Sequence, residues 1–309
     1  MRIVFMGTPE SALPALQRLL DDGHEIIAVW TQPDKPAGRG NKLHQSPVKE
    51  FALKHNLIVQ QPAKIKDGEA KALFAAHDAD AAIVVAYGKI LPEEFLNAPR
   101  RGCINVHFSL LPKYRGAAPV DWAIVNGEKE TGVTTMKVVS ALDAGPILLQ
   151  RSTEIKEDET APELLARLAE IGAELLSETL ERFDTLFAQP QRDEDATLAP
   201  MLKREDGLID WSMDAYAIER LVRGFQPWPN AYTSFRSQRL IIWKAKPEWI
   251  ERLTFPPGQI IEARGDRLVI ACGEATALRV SELQTEGGRR LSARDFLNGA
   301  HVKAGSLLG

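Results

Sequence analysis

Residues 80–86, DAAIVVA, form an apolar run of strand length with no polar alternation. Such a run suits a strand buried on both faces, and strands of that kind belong to parallel sheets covered by helices. The N-terminus repeats the signal. Residues 2–6 read as a buried strand, Gly7-Thr8-Pro9 turns, a helix follows over 11–22 with Ser11 as its expected N-cap, and 25–30 is a second strand. This strand–helix–strand start predicts an α/β fold with a doubly wound, mostly parallel, Rossmann-like sheet. Gly7 is not part of a G-x-G-x-x-G, so the sequence gives no support for a dinucleotide cofactor.

A chain of 309 residues is long for one hydrophobic core, which predicts two domains. Helices are expected over 46–55, 68–77, 91–97 and 119–126, with strands over 57–59, 132–139 and 147–155. Thr160 and Glu163 have capping-box spacing and open a helix over 161–187 with leucines at helical intervals. Residues 189–206 hold prolines, mixed charge and no periodicity. They divide the chain into a domain over 1–188, a linker over 189–206 and a domain over 207–309. The last domain offers a helix over 213–224 with Ser212 as expected cap, strands over 231–235, 240–245, 259–263, 267–271 and 277–283, and a helix over 292–298. Short strands with turn residues between them predict a smaller, OB-like β-barrel.

No apolar stretch is long enough for a transmembrane helix, and the first residues are too short in apolar length for a secretory signal. Two well-separated cysteines, Cys103 and Cys272, suggest neither a disulfide framework nor a zinc site. A cytoplasmic monomer without a metal is expected. The net charge of −4 argues against a general nucleic-acid binder, but it is unevenly spread. Residues 1–187 carry 21 Lys and Arg against 26 Asp and Glu, a balance of −5, whereas 207–309 carry 14 against 11, a balance of +3. The C-terminal part can therefore accept phosphate contacts.

Chemistry concentrates in residues 103–116, CINVHFSLLPKYRG, an apolar strand that ends in a polar, basic loop. Strand alternation puts Asn105 and His107 on one face, with Ile104 and Val106 on the other. They stand at a strand's carboxyl end, the usual place for a site in an open parallel sheet. Tyr87-Gly88 ends the preceding strand and supplies a second wall. Asp143, in the turn LDAGP, is a carboxylate able to orient the imidazole. An amide, an imidazole and a carboxylate suit attack by an amine on a carbonyl carbon, with the oxyanion held by Asn105 and His107. Ser109 lacks a G-x-S-x-G elbow and does not read as a nucleophile. Arg39, between Gly38 and Gly40 in the Pro- and Gly-rich loop 31–43, is suited to phosphate or base edges. An ordinary surface loop has the same composition.

N-x-H followed at once by SLLPKYRG, with LDAGP further on, resembles the folate-dependent formyltransferases. Their members act on glycinamide ribonucleotide, methionyl-tRNA and sugar nucleotides, or hydrolyse formyltetrahydrofolate. TQPDKPAGRGNKL, the segment 207–233 and EGGRRLSARDFLNG are most similar to the members acting on methionyl-tRNA. Two positions depart from the pattern: Phe108 stands where Ala is usual and Tyr114 where Trp is usual. The resemblance implies that 10-formyltetrahydrofolate donates a formyl group to initiator methionyl-tRNA. It assigns oxyanion stabilisation to Asn105 and His107, and orientation of His107 or proton acceptance through water to Asp143. Ser109, Leu110, Leu111 and Pro112, with Tyr87 and Gly88, would receive the folate. Arg39 would meet the top of the acceptor stem and Lys42 a phosphate. The alternatives are a sugar-nucleotide formyltransferase, a formyltetrahydrofolate hydrolase, or a non-catalytic tRNA- or folate-binding module.

Overall fold

In a computed structural model that describes residues 1–37, 42–250 and 255–309, the chain forms two compact units. The first comprises Met1–Pro119, Glu130–Glu154 and Leu165–Ala199; the second comprises Val120–Lys129, Ile155–Leu164 and Pro200–Gly309. Among the described residues no helix is long and apolar enough to cross a membrane.

The first unit is built on a seven-stranded sheet in the order Ile147–Glu154, Glu130–Lys137, Cys103–His107, Ala81–Val85, Arg2–Gly7, Glu25–Trp30 and Val59–Gln60. The strands from Cys103–His107 to Val59–Gln60 run parallel. Glu130–Lys137 pairs antiparallel with both of its neighbours, so a β-hairpin closes that edge. The apolar run 80–86 lies at the sheet centre, as its composition requires. On one side Trp30, Phe74 and Phe95 pack ring against ring, with centroids 4.0–5.4 Å apart. Trp30 satisfies its buried indole by donating to His77 Nε2 at 3.1 Å.

On the other side the helix Ala161–Glu181 lies against the site strand. Gly172 makes this possible, because a Cβ there would meet Val106 Cγ1 at 2.9 Å. Glu163 accepts from the Thr160 backbone N–H at 2.9 Å, the reach-back half of the expected capping box.

Several sequence expectations change in detail. Ser11 does not cap the first helix; Glu10–Ala12 is a 3-10 turn, and the helix Leu13–Asp21 starts behind it with Pro14 in its first turn. The loop 31–43 holds a small antiparallel pair, Lys35–Ala37 with Lys42–His44. Part of the stretch 189–206 bonds into the first unit. Leu198–Ala199 pairs in parallel with Arg115–Gly116, and Gln189 exchanges both backbone hydrogen bonds with Ile147 at 2.8 Å. Its lack of periodicity reflects a segment held by single polar contacts rather than an amphipathic face.

The second unit is an antiparallel sheet in the order Tyr232–Phe235, Gln238–Trp249, Thr276–Thr285, Arg267–Ala271, Ile260–Arg264, with Arg290–Ser292 added beside Thr276–Thr285. Its strands alternate, turning Leu240, Ile242, Leu268, Ile270, Leu278 and Val280 into one core. The helix Ala215–Gly224 joins that core through Ile218, Leu221 and Val222. Asp214, not Ser212, caps it, accepting from the Ala217 N–H at 2.9 Å. Ser212 is instead engaged with Asp210, to which its hydroxyl donates at 2.6 Å.

Candidate active site

Register places His107 opposite Thr134 and Asn105 opposite Met136 on the antiparallel neighbour. His107 is buried, 6% exposed, so its ring nitrogens need partners inside the protein. Nε2 lies 2.9 Å from the Tyr114 carbonyl oxygen. A carbonyl only accepts, so Nε2 carries a proton and Nδ1 becomes the working face. Nδ1 stands 3.8 Å from Asp143 Oδ2, close enough for an ion pair once protonated but short of a hydrogen bond. That leaves room for Nδ1 to turn toward a third atom. Asn105 is half-buried on the same face, and its side-chain amide finds no hydrogen-bonding partner among the described residues. A free donor on the strand that presents His107 suits a developing oxyanion.

Asp143 comes from the turn between the strands Glu130–Lys137 and Ile147–Glu154, and it adopts φ +46°, a left-handed conformation that Asp tolerates better than most residues. Its Oδ2 accepts from the Gly116 backbone N–H at 2.9 Å, which aims the carboxylate toward His107. Gly116 has φ +126°, and a Cβ there would run into the Ala199 carbonyl, so only glycine fits between the two short strands.

The backbone of this turn is held from outside the sheet. Gln191 Nε2 donates to the carbonyls of Asp143 and Gly145, both at 2.8 Å. Its Oε1 accepts from Arg115 Nε at 2.9 Å, while Arg115 Nη1 donates to Asp193 at 2.9 Å. Thr197 Oγ1 accepts from the Tyr114 N–H at 2.9 Å, fixing the peptide whose carbonyl holds His107.

The loop after the strand is equally tied down. Thr134 Oγ1 donates to the Ser109 carbonyl at 2.6 Å and accepts from the Leu111 N–H at 3.1 Å. Gln150 Nε2 donates to that hydroxyl at 2.9 Å and to the Leu111 carbonyl at 2.8 Å. Ser109 Oγ donates to the Lys113 carbonyl at 2.7 Å. The Ser109 and Leu111 side chains are buried, whereas Leu110 and Pro112 are half-buried and reach solvent.

The structure therefore brings His107 and Asp143 together and puts Asn105 on the same face. Tyr87 is 1% exposed, with its ring in the apolar cluster, its hydroxyl without a partner among the described residues and burial pushing its pKa well above the usual tyrosine range. Its carbonyl accepts from Thr8 Oγ1 at 3.2 Å and Gln32 Nε2 at 3.0 Å. Gly88, exposed at φ +80°, lies just beyond the carboxyl end of the central strand Ala81–Val85. Phe108 packs toward Gly172 on the rear face, so this departure from the family pattern fills core volume rather than the pocket. Arg39 lies outside the described residues; Lys42 begins the second strand of the small hairpin. Cys103 is buried in the same strand, its thiol pushed up to about 12 and donating to the Phe95 carbonyl at 3.3 Å. Among the described residues no group of three or more His, Cys, Asp or Glu could hold a metal ion. Thr134, Gln150, Gln191 and Thr197 escaped sequence reading, because a single polar residue in a strand or an aperiodic segment carries no pattern.

The formyl transferase family profile matches residues 1–180, and the profile of the formyl transferase C-terminal domain matches residues 201–301. A methionyl-tRNA formyltransferase of Caldanaerobacter subterraneus subsp. tengcongensis is 49% identical over 316 residues, covering all of both chains. The chain belongs to the methionyl-tRNA formyltransferase family. Solved structures carry the fold further afield. HypX from Aquifex aeolicus in complex with tetrahydrofolic acid is similar with a TM-score of 0.65 at 19% identity, over 96% of this chain. This chain spans about half of HypX, 47% of its length. An N-formyltransferase from Helicobacter canadensis in complex with folinic acid and dTDP-3-aminofucose has a TM-score of 0.66 at 18% identity, covering 90% of this chain and 98% of that one.

Proposed function

We propose that this chain is a methionyl-tRNA formyltransferase, moving the formyl group of 10-formyltetrahydrofolate onto the free amine of initiator methionyl-tRNA and yielding N-formylmethionyl-tRNA for translation initiation. Full-length likeness to proteins of that name supports the acceptor. The observation that carries the chemistry is the meeting of His107 with Asp143 on the face that bears the unpartnered Asn105 amide. Folate-bound relatives in fold, together with a loop whose backbone is fixed and whose Leu110 and Pro112 stay accessible, support a folate co-substrate. In this reading Gly88 and the 109–112 loop hold the folate, with Tyr87 contributing its backbone.

The residues divide the work as follows. As the methionyl amine adds to the formyl carbon, the Asn105 amide and the Nδ1–H of a His107 imidazolium, its charge balanced by Asp143, donate to the oxygen that gains charge. Asp143 accepts, through water, the proton shed by the new C–N nitrogen. The carbon–N10 bond then breaks, N10 takes up a proton, and tetrahydrofolate leaves. Nε2 stays bonded to Tyr114 throughout, so the ring does not rotate away. Arg39 and Lys42 are the cations of this reading that meet the acceptor arm, where an open end offers base edges and faces.

The test is formylation of charged initiator tRNA against a sugar-nucleotide amine, each with 10-formyltetrahydrofolate. Turnover of the tRNA is expected, and activity with the sugar nucleotide alone would overturn the reading. Arg39→Ala should cut selectivity for initiator over elongator tRNA; equal loss on both would remove Arg39 from that role.

A further inference from the structure

We infer that Gln191 and Thr197 are positioning residues: the segment 189–199 sets the spacing between His107 and Asp143 by holding the backbone on which each depends. The inference rests on the catalytic reading of those two side chains given above. Neither of the two touches a reacting atom. Each acts through a peptide group.

The orientation of Gln191 is fixed by chemistry. A guanidinium donates and cannot accept, so the Gln191 oxygen faces Arg115 Nε at 2.9 Å and the amide NH2 must face the carbonyls of Asp143 and Gly145, both at 2.8 Å. Arg115 is itself anchored, with its side chain 10% exposed and paired with Asp193 at 2.9 Å. The same strand continues into Gly116, whose N–H holds Asp143 Oδ2 at 2.9 Å. The Asp143 peptide is thus held at its carbonyl by Gln191 and at its carboxylate by Gly116, which keeps a non-glycine residue at φ +46°. On the other side Thr197 takes the Tyr114 N–H at 2.9 Å, and the Tyr114 carbonyl takes His107 Nε2 at 2.9 Å. One short segment therefore grips both ends of the pair. Misplacement of a catalytic group by about 1 Å costs roughly 10²-fold in rate, so the loss of either grip should show in turnover.

Gln191→Glu tests this without changing shape. Glutamate still accepts from Arg115, but as a carboxylate it cannot donate to the two carbonyls. The full chain, assayed with charged initiator tRNA and 10-formyltetrahydrofolate, should lose about 10- to 100-fold in kcat at neutral pH with both KM values within about twofold. Part of the loss should return in acid, where a protonated carboxyl donates one bond. Thr197→Val should lower kcat in the same way and Thr197→Ser should restore it, a pair that carries the test if Gln191→Glu fails to fold. Asp143→Asn is run alongside. If it is slow and adding Gln191→Glu makes it no slower, the two act as one unit and the inference stands. If Asp143→Asn is slow while Gln191→Glu and Thr197→Val stay within about twofold of the wild type, or if the losses multiply, the positioning role is overturned alone. If Asp143→Asn keeps its turnover, the catalytic reading fails and the positioning role falls with it.

Discussion

Around His107 the polar side chains are tied mainly to main-chain atoms, whereas in the cavity of the second unit many of the charged ones are tied to one another. That cavity, about 330 Å³, is lined by Asp158, Glu219, Arg223, Trp243, Lys246 and Arg290 among others. Arg223 pairs with Glu219, Lys246 reaches Asp158 at 3.4 Å, and the Arg290 guanidinium lies 5.0 Å over the Trp243 ring. Lys246 and Arg290 lie on an open surface and deliver charge without fixing where it sits, and an exposed pair such as Lys246 with Asp158 adds little to stability; Arg223 and Glu219 are the more enclosed pair. Near His107 the partners are peptide groups of strands and turns, which move only when the fold moves. A reacting group needs the second arrangement. A surface that meets phosphates needs only the first.

Asp143→Asn should give the largest effect, because it keeps the size of the side chain and removes its charge. We expect kcat to fall by about 10²- to 10⁴-fold with KM for tRNA nearly unchanged. Steady-state kinetics check this, and a loss confined to KM would break the contrast between the two regions. Next comes Thr134→Val, which strips the Ser109 carbonyl, the Leu111 N–H and the Gln150 amide of a common partner. Buried polar groups left unsatisfied cost about 1–3 kcal/mol each, so a loss of roughly 2–4 kcal/mol after relaxation is expected in urea unfolding.

Asp121, in the helix Pro119–Val125, is an exception within the second unit, since burial pushes its carboxyl up to about 6. A folded-state value above the unfolded one means the folded chain holds that proton more tightly. The contribution of Asp121 to stability is then greatest below about pH 4 and is lost as pH rises through about 6. Asp121→Asn should raise stability by about 2 kcal/mol at pH 8 and leave it unchanged near pH 4, read by thermal unfolding at both values. The smallest effect belongs to the exposed cations. Lys244→Ala with Lys246→Ala should lower kcat/KM for tRNA only a few-fold and reduce its salt dependence by about one to two counterions, with kcat retained. A collapse of kcat there would show that the second region is as finely set as the first.

The framework of this site was readable from periodicity. The strand 103–107 had to present Asn105 and His107 together, and the apolar run 80–86 had to be central. The turn residues Leu142-Asp143-Ala144-Gly145 announced a carboxylate, though no spacing could show it meeting His107. The braces were invisible for a physical reason. Thr134 is one hydroxyl in a strand that its alternation already explains, and Gln191 sits where no helix or strand repeats. Both act through single hydrogen bonds between residues far apart in sequence, and periodicity records only faces. Caps failed more narrowly: Ser212 and Asp214 are equally good candidates by type, and the choice depends on where the helix begins in three dimensions.

The pairing of Leu198–Ala199 with Arg115–Gly116 also has a bearing on the order of events during synthesis. Thr197 follows its partner Tyr114 by 83 residues, and Gln191 follows Arg115 by 76. A nascent chain that has emerged only as far as Glu181 holds every strand of the large sheet and the three side chains proposed to react, Asn105, His107 and Asp143, yet lacks the segment proposed to align them. At about 5–20 residues per second the delay is brief. Competence for chemistry should nonetheless arrive in one step, when residues 189–199 dock, rather than grow with the sheet.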